Sequence, residues 1–332
     1  MILAGDIGGT NTRLALFAEV GDPRHVKEFR SQEYAGLEQI VTEYLRQTGT
    51  SFTRACFAVA GPVENVQGYS VAHGTNVWSV DQRRVAQALG VSPESIAVIN
   101  DLAANAHGID VLPPAKLLTL REGEPRAGHR AIISAGTGLG VAGLYWEGRR
   151  HHPIPSEGGH SNFGPRNAFE CDLLEYLAAQ DRQTFGGHVS WERVLSGPGL
   201  YNLFDFYRHR GLGRQTVRIP EGMPPGKAAQ AISKAALERS CERSSMALDL
   251  LVSLYGAAAG NVALQFLCFG GLYVGGGIAP RIVERLRGPG FMEAFLDKGP
   301  LRQRVLEKIA VRVILDEHTA LRGAARYARE MF

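Results

Sequence analysis

The chain is poor in the features that would place it at a glance. It has four cysteines in 332 residues, Cys56, Cys171, Cys241 and Cys268, and none forms a C-x-x-C pair. That spacing excludes the usual zinc motifs and speaks against a disulfide framework. Cys56 and Cys268 lie in apolar runs and are expected as small core residues. The cytoplasm follows as the expected location. Net charge is only +3 and no basic run stands out, so no nucleic-acid partner is expected, and "RHRGLGR" (208–214) reads as a solvated loop. No leader with a charged and then an apolar region is read at the start, where Asp6 and Arg13 interrupt the first apolar stretch. The longest apolar run, 246–268, is broken by Asp249, Asn261 and Gln265. It predicts a buried helix rather than a membrane span.

What the chain does have is length for two lobes and glycine where strands should end. "GDIGGTNTRLAL" (5–16) reads as a β-hairpin with a glycine-rich tip. Two readings stand for it. One is a turn, which glycine alone would explain. The other is a phosphate cradle, in which glycines let backbone N–H groups approach an anion while Thr10 and Asn11 add donors. Asp6 beside it would repel phosphate unless a hard cation such as Mg²⁺ intervened.

The early alternation predicts strands at 2–5, 11–18, 26–33, 55–60, 66–71 and 95–99 and helices at 37–47, 81–89 and 101–108. This is a strand meander followed by helix-linked strands, a mixed α/β layer. "VLPPAK" (111–116) punctuates the chain. A second hairpin follows, with strands at 130–135 and 139–146 joined by "GTGLG". Long helices are expected over 190–209, 227–238 and 240–268. A strand at 271–275 meets "GGGIAP", and a strand at 310–315 and a helix at 319–329 close the chain.

Three glycine breaks at strand ends suggest backbone approach to one nucleotide. "GTGLGVAG" imitates a dinucleotide fingerprint only loosely, because it leads into a strand. In "VINDLAANAHG" (98–108), Asn100 and Asp101 precede a helix. Either is a favoured N-cap; alternatively Asp101 is a general base at a strand tip. "PSEGGHSNF" (155–163) sets Glu157 and His160 around two glycines, groups suited to a polyhydroxyl ligand or simply to a solvated loop. In "HVSWERVLSGPGL" (188–200), Glu192 fits an acidic first helical turn.

In this order and at these spacings, "GDIGGTN", "INDLAANAHG", "GTGLGVA", "SEGGH", "HVSWERVLSGPGL" and "GGGIAPR" resemble the bacterial glucokinases nearly end to end. The cysteine-rich zinc segment of the related repressor/ORF/kinase sugar kinases is absent. The resemblance implies an α/β fold of two ribonuclease-H-like lobes around a central cleft, the actin-like ATPase fold. The expected small lobe covers 1–114 completed by a C-terminal helix at 317–332, and the large lobe covers 115–316.

The resemblance also implies ATP- and Mg²⁺-dependent phosphorylation of D-glucose to D-glucose 6-phosphate, the first step of glucose use in glycolysis. Asp101 is then the base, and Asn100, Asp101, Glu157, His160 and Glu192 bind the sugar. Gly8, Gly9, Thr10 and Asn11 form one phosphate loop, with Asp6 at Mg²⁺ directly or through water. Gly136, Thr137, Gly138 and Gly140 form a second phosphate loop, and Gly275, Gly276 and Gly277 meet adenosine. A homodimer without nucleic-acid or membrane partners is expected. The rivals are a kinase of mannose or N-acetylglucosamine, a sugar-binding regulator, and an ATPase of the actin or chaperone type.

Overall fold

The computed structural model describes residues 1–18, 21–74, 78–220 and 222–331, the side chains of 181–185 aside. The chain divides into two compact units. One comprises Met1–Lys116, Pro153–Pro155 and Asp316–Phe332, and the other Leu117–His152 and Ser156–Leu315.

The first unit opens with an antiparallel meander, β1 (Ile2–Ile7), β2 (Asn11–Phe17) and β3 (Arg24–Arg30), followed by α1 (Leu37–Thr48) and β4 (Arg54–Val59). A small sheet of β5 (Val63–Val66), β6 (Tyr69–Ala72) and β7 (Val80–Asp81) comes next. The single predicted strand at 66–71 is therefore two strands, reversed at Gln67 and Gly68, whose φ angles are 55° and 87°. Then come α2 (Gln82–Leu89), β8 (Ile96–Asn100) and α3 (Asp101–Ile109). The main sheet has the order β3-β2-β1-β4-β8, with β1, β4 and β8 parallel.

The second unit repeats this plan. β9 (Leu117–Arg121) precedes a hairpin of β10 (Arg130–Ala135) and β11 (Leu139–Trp146) and the edge strand β12 (His151–Ser156), whose Pro153–Pro155 are counted with the first unit. Helices α4 (Ala168–Phe185), α5 (Gly197–His209), α6 (Pro225–Leu237) and α7 (Glu242–Phe266) follow. Strand β13 (Gly271–Gly275), helices α8 (Val283–Leu286), α9 (Pro289–Leu296) and α10 (Leu301–Arg304), and strand β14 (Val311–Ile314) complete it. The sheet order is β12-β11-β10-β13-β14-β9, with β10, β13 and β14 parallel.

Helix α7 is long and apolar enough to cross a membrane by composition, yet most of that stretch is buried inside the protein. Its Gly256 and Gly260 lie so close to the backbone of α9 at Phe291 and Phe295 that a Cβ at either would collide. Arg243 near its start ties down the glycine-rich loop after α5, donating to Leu212 O at 2.9 Å and Gly213 O at 2.8 Å.

The chain ends in α11 (Thr319–Met331), which belongs to the first unit. Its Gly323 meets the Ala104 carbonyl on α3, and Gly108 of α3 meets the Thr319 carbonyl; neither position has room for a Cβ. This close approach fixes α3, and hence its first residue, Asp101. Buried Arg322 of α11 is neutralised by Asp316 and Asp22, each at 2.6 Å, so its charge is not left unpaired.

Candidate active site

In the first unit, β1 ends at Ile7 and β2 begins at Asn11. Gly8 N donates to Asn11 O at 3.0 Å, closing the tip. Ser31 braces it from behind, its N–H reaching Thr10 O at 2.9 Å and its hydroxyl reaching Gly8 O at 2.7 Å. Thr12 and Ser31 share a further hydroxyl bond at 3.0 Å, and both are fully buried. Three carbonyls of the tip, those of Gly8, Thr10 and Asn11, are thus engaged, two of them by Ser31. Thr10 is exposed, and Gly8, Gly9 and Asn11 are partly so. Sequence reading missed Ser31: nothing in "FRSQEY" marks it, and it meets the tip only because β3 pairs with β2.

Asp6 is half-buried on β1. Desolvation raises its pKa, offset in part by Arg13 and His318 and reinforced by Glu28. Among the described residues its carboxylate accepts no hydrogen bond. A cation would relieve that strain, and a single carboxylate beside a phosphate loop is the protein share that Mg²⁺ commonly takes, with waters and phosphate oxygens filling its shell. No cluster of three or more His, Cys, Asp or Glu able to hold a metal occurs among the described residues. Asp6 is thus a lone carboxylate whose chemistry fits one place in the shell of a Mg²⁺ carried by phosphate.

The end of β8 decides between the two capping candidates. Asn100 is the N-cap of α3: its Oδ1 accepts from Leu102 N at 2.9 Å and Ala103 N at 3.3 Å. Its Nδ2 donates to Gly61 O at 3.0 Å, so the cap is also tied to the turn after β4. Asp101 is the first residue of α3 and half-buried, where the helix N-terminus favours an anion. In the parallel register Ile7 lies beside Val59 and Val59 beside Asn100. Asp6 and Asp101 thus share the carboxyl edge of this sheet, the edge where open α/β sheets bind ligands.

In the second unit the glycine loops again leave the carboxyl ends of parallel strands. Gly136 N donates to Gly138 O at 2.8 Å, and Gly197 N to Gly136 O at 2.8 Å. Gly276, with φ +82°, lies where a Cβ would collide with the Ala135 carbonyl. Ile278 N donates to that same carbonyl at 3.1 Å, so the loops after β10 and β13 abut. Thr137, Gly276 and Gly277 are exposed, whereas Gly275 is buried within its strand. The bare backbone on offer is therefore at Gly276 and Gly277.

The remaining site residues gather around the first of these two loops. Glu192 Oε2 accepts from Leu139 N at 2.9 Å and occupies the place a Cβ on Gly138 would need. It lies on a 3₁₀ turn, Trp191–Arg193, not in a helix. The helix predicted from 190 starts only at Gly197, because Ser196 caps it by accepting from Gly199 N at 3.0 Å and Pro198 suits its first turn.

The Glu157–His160 loop packs against β11. Ser156 Oγ donates to Val141 O at 3.0 Å, and Gly159 has no room for a Cβ against the Leu139 carbonyl. Glu157 and His160 stand 3.9 Å apart with side chains 71% and 59% exposed. Trp191 N donates to Ser161 O at 3.0 Å, joining this loop to the Glu192 turn. The structure thus brings Glu157, His160, Glu192 and Gly136–Gly140 together within one unit, and Asp6, Gly8–Asn11, Asn100 and Asp101 along one sheet edge of the other.

Comparison with known proteins bears on this pattern. A family model described as Glucokinase matches residues 3–331. The glucokinase of Nostoc sp. is 39% identical, covering 100% of this chain and 99% of its own. That of Tolumonas auensis is 37% identical over 99% of this chain and 97% of its own. Among solved structures, a glucokinase from an Antarctic psychrotroph superposes with a TM-score of 0.80 at 30% identity, covering 99% of this chain and 98% of that one. A ROK-family glucokinase from Streptomyces griseus, in complex with glucose and AMPPNP, superposes with a TM-score of 0.68 at 20% identity, covering 99% of each chain; this likeness concerns the fold. Family match, full-length relatives and fold agree, and the chain belongs to the glucokinase family.

Proposed function

We propose that the chain is an ATP-dependent glucokinase, transferring the γ-phosphoryl group of ATP in line to the 6-hydroxyl of D-glucose. The product is D-glucose 6-phosphate, the entry compound of glycolysis. One observation carries the reading: Asn100 supplies the cap of α3, which assigns the capping role away from Asp101. Asp101 orients the 6-hydroxyl and takes its proton as the bond to phosphorus forms, a contribution of roughly 10²–10⁴-fold. Asn100, Glu157, His160 and Glu192 complete the sugar set, as carboxylates, amide and imidazole suit the hydroxyls of a pyranose ring.

Phosphoryl transfer depends mainly on positioning and electrostatics. In loops Gly8–Asn11 and Gly136–Gly140 the N–H groups of Gly8, Gly136 and Leu139 hold the loops themselves, the remaining backbone would face the phosphates, and Gly276 and Gly277 offer a surface without side chains to adenosine. Asp6 would hold Mg²⁺, which when bound neutralises charge on the transferring phosphate. All four cysteines are unpaired, which supports the cytoplasm as its compartment. We also propose a homodimer, to be tested by light scattering.

The test is ADP formation from Mg-ATP by the purified chain with D-glucose, mannose, fructose or N-acetylglucosamine. Strong stimulation by glucose is expected. Stimulation by another sugar alone would replace the acceptor. Stimulation by none, with ATP still bound, would overturn the kinase reading.

A further inference from the structure

Tyr255 lies on α7, fully buried in the second unit and outside every motif that the sequence singled out. Its hydroxyl accepts from Ala135 N at 3.2 Å and lies 3.2 Å from Ile133 O and 3.1 Å from Gly275 O. A phenol has one proton to give and lone pairs to receive. It therefore serves the last amide of β10 and shares its proton between the carbonyls of β10 and β13. Burial pushes its pKa up, so it stays a donor at ordinary pH. The ring is held edge-on by Phe291, with centroids 5.9 Å apart.

The place of this hydroxyl is what matters. Ser134 beside Gly275 is the final rung of the β10–β13 ladder. Beyond it both strands leave as glycine loops, which touch through Ile278 N and the Ala135 carbonyl. The tyrosine bridges the two strands where sheet hydrogen bonding ends and the loops begin.

We propose that Tyr255 is a positioning residue for the nucleotide: its hydroxyl sets the spacing of loop 136–140 against loop 275–277, and with it the placement of the backbone groups presented to phosphate and adenosine. This rests on the reading of these loops as nucleotide-binding. Removing the hydroxyl takes from the Ala135 N–H its acceptor and from the Ile133 and Gly275 carbonyls the one proton they share, which loosens the point where the loops diverge.

The experiment compares full-length Tyr255→Phe with Phe291→Leu, which trims the same core and keeps the hydroxyl. For Tyr255→Phe, KM for ATP and Kd for Mg-ADP should rise about tenfold, while kcat and KM for glucose stay within about twofold. Phe291→Leu should lower the unfolding midpoint and leave KM for ATP unchanged. Unchanged nucleotide constants in Tyr255→Phe would overturn the proposal, as would an equal rise in Phe291→Leu. Both leave the kinase reading intact if the wild-type chain turns over. A wild-type chain that binds no Mg-ADP would overturn the nucleotide reading and this proposal together.

Should Tyr255→Phe fail to fold, amide exchange on the wild-type chain decides. The Ala135 and Ile278 amides should show matching protection and slow together on addition of Mg-ADP. Opening at unrelated rates would overturn the coupling.

Discussion

The two units are built on one plan and present different groups at their strand ends. Both sheets contain an antiparallel meander followed by two parallel strands, β3-β2-β1-β4-β8 in one and β12-β11-β10-β13-β14 in the other, where β9 is added antiparallel to β14. Both place a glycine-rich tip at a hairpin, β1–β2 in the first unit and β10–β11 in the second. The first unit puts carboxylates at the strand ends, Asp6 on β1 and Asp101 after β8, and braces its tip with the hydroxyls of Ser31 and Thr12. The second unit puts bare backbone there. It holds its loops by close approach at Gly138 and Gly276 and by the side chains of Glu192 and Tyr255. One topology thus presents two carboxylates at the strand ends of the first unit and exposed glycine backbone, with Glu192 against it, at those of the second; under the proposed function the first serves the proton and the cation and both tips serve phosphate.

Five substitutions sharpen or break that contrast, the largest effect first. Asp101→Asn should lower kcat by roughly 10²–10⁴-fold with the unfolding midpoint nearly unchanged, because the α3 cap is Asn100. Steady-state kinetics and thermal unfolding together check this.

Asp6→Asn should lower kcat by about 10²-fold and yet stabilise the ligand-free chain at neutral pH. The Asp6 pKa is raised, chiefly by desolvation, so the folded state favours its neutral form and bears the cost of its charge above that pKa. The gain in midpoint should shrink as pH falls through the raised Asp6 value and the parent protonates. Midpoints that do not depend on pH in this way would contradict a charge held at Asp6.

Gly276→Ala should cost about 1–3 kcal/mol, since an L residue is strained at its positive φ and its Cβ meets the Ala135 carbonyl. A glycine change in the first unit's tip, Gly8→Ala, should cost less, because its Cβ would approach only Asn11 O, at 3.1 Å. Denaturant unfolding of the pair checks the ordering. Ser31→Ala should be the mildest, about 1 kcal/mol, with a KM for ATP raised a few-fold. An unchanged KM would mean that the first tip does not depend on its brace.

Much of this was legible from residue patterns. The two glycine-tipped hairpins, the parallel strands at 55–60 and 271–275 and the buried run ending near 268 all lie where periodicity placed them, within a few residues. The misses differ in kind. Strand β12 contains Pro153 and Pro155, which argue against a strand, but it lies at a sheet edge where missing donors are tolerated. Helix α4 was missed although Phe169, Leu173 and Leu177 form an apolar stripe at four-residue spacing and pack in the core. In the site, motif residues were readable but their supports were not. Ser31, Tyr255 and the cap at Asn100 act through contacts that only the folded chain creates, and local spacing left Asn100 and Asp101 equally good caps.

The division between carboxylate strand ends and glycine strand ends is tested most directly by measuring Mg-ADP affinity by calorimetry and glucose-dependent turnover on Asp101→Asn and Gly276→Ala side by side. The account expects Asp101→Asn to keep Mg-ADP affinity within about twofold while losing roughly 10²-fold or more in kcat. It expects Gly276→Ala to lose nucleotide affinity before turnover at saturating ATP. Both variants losing the same quantity, or Asp101→Asn turning over near the parent rate, would contradict it.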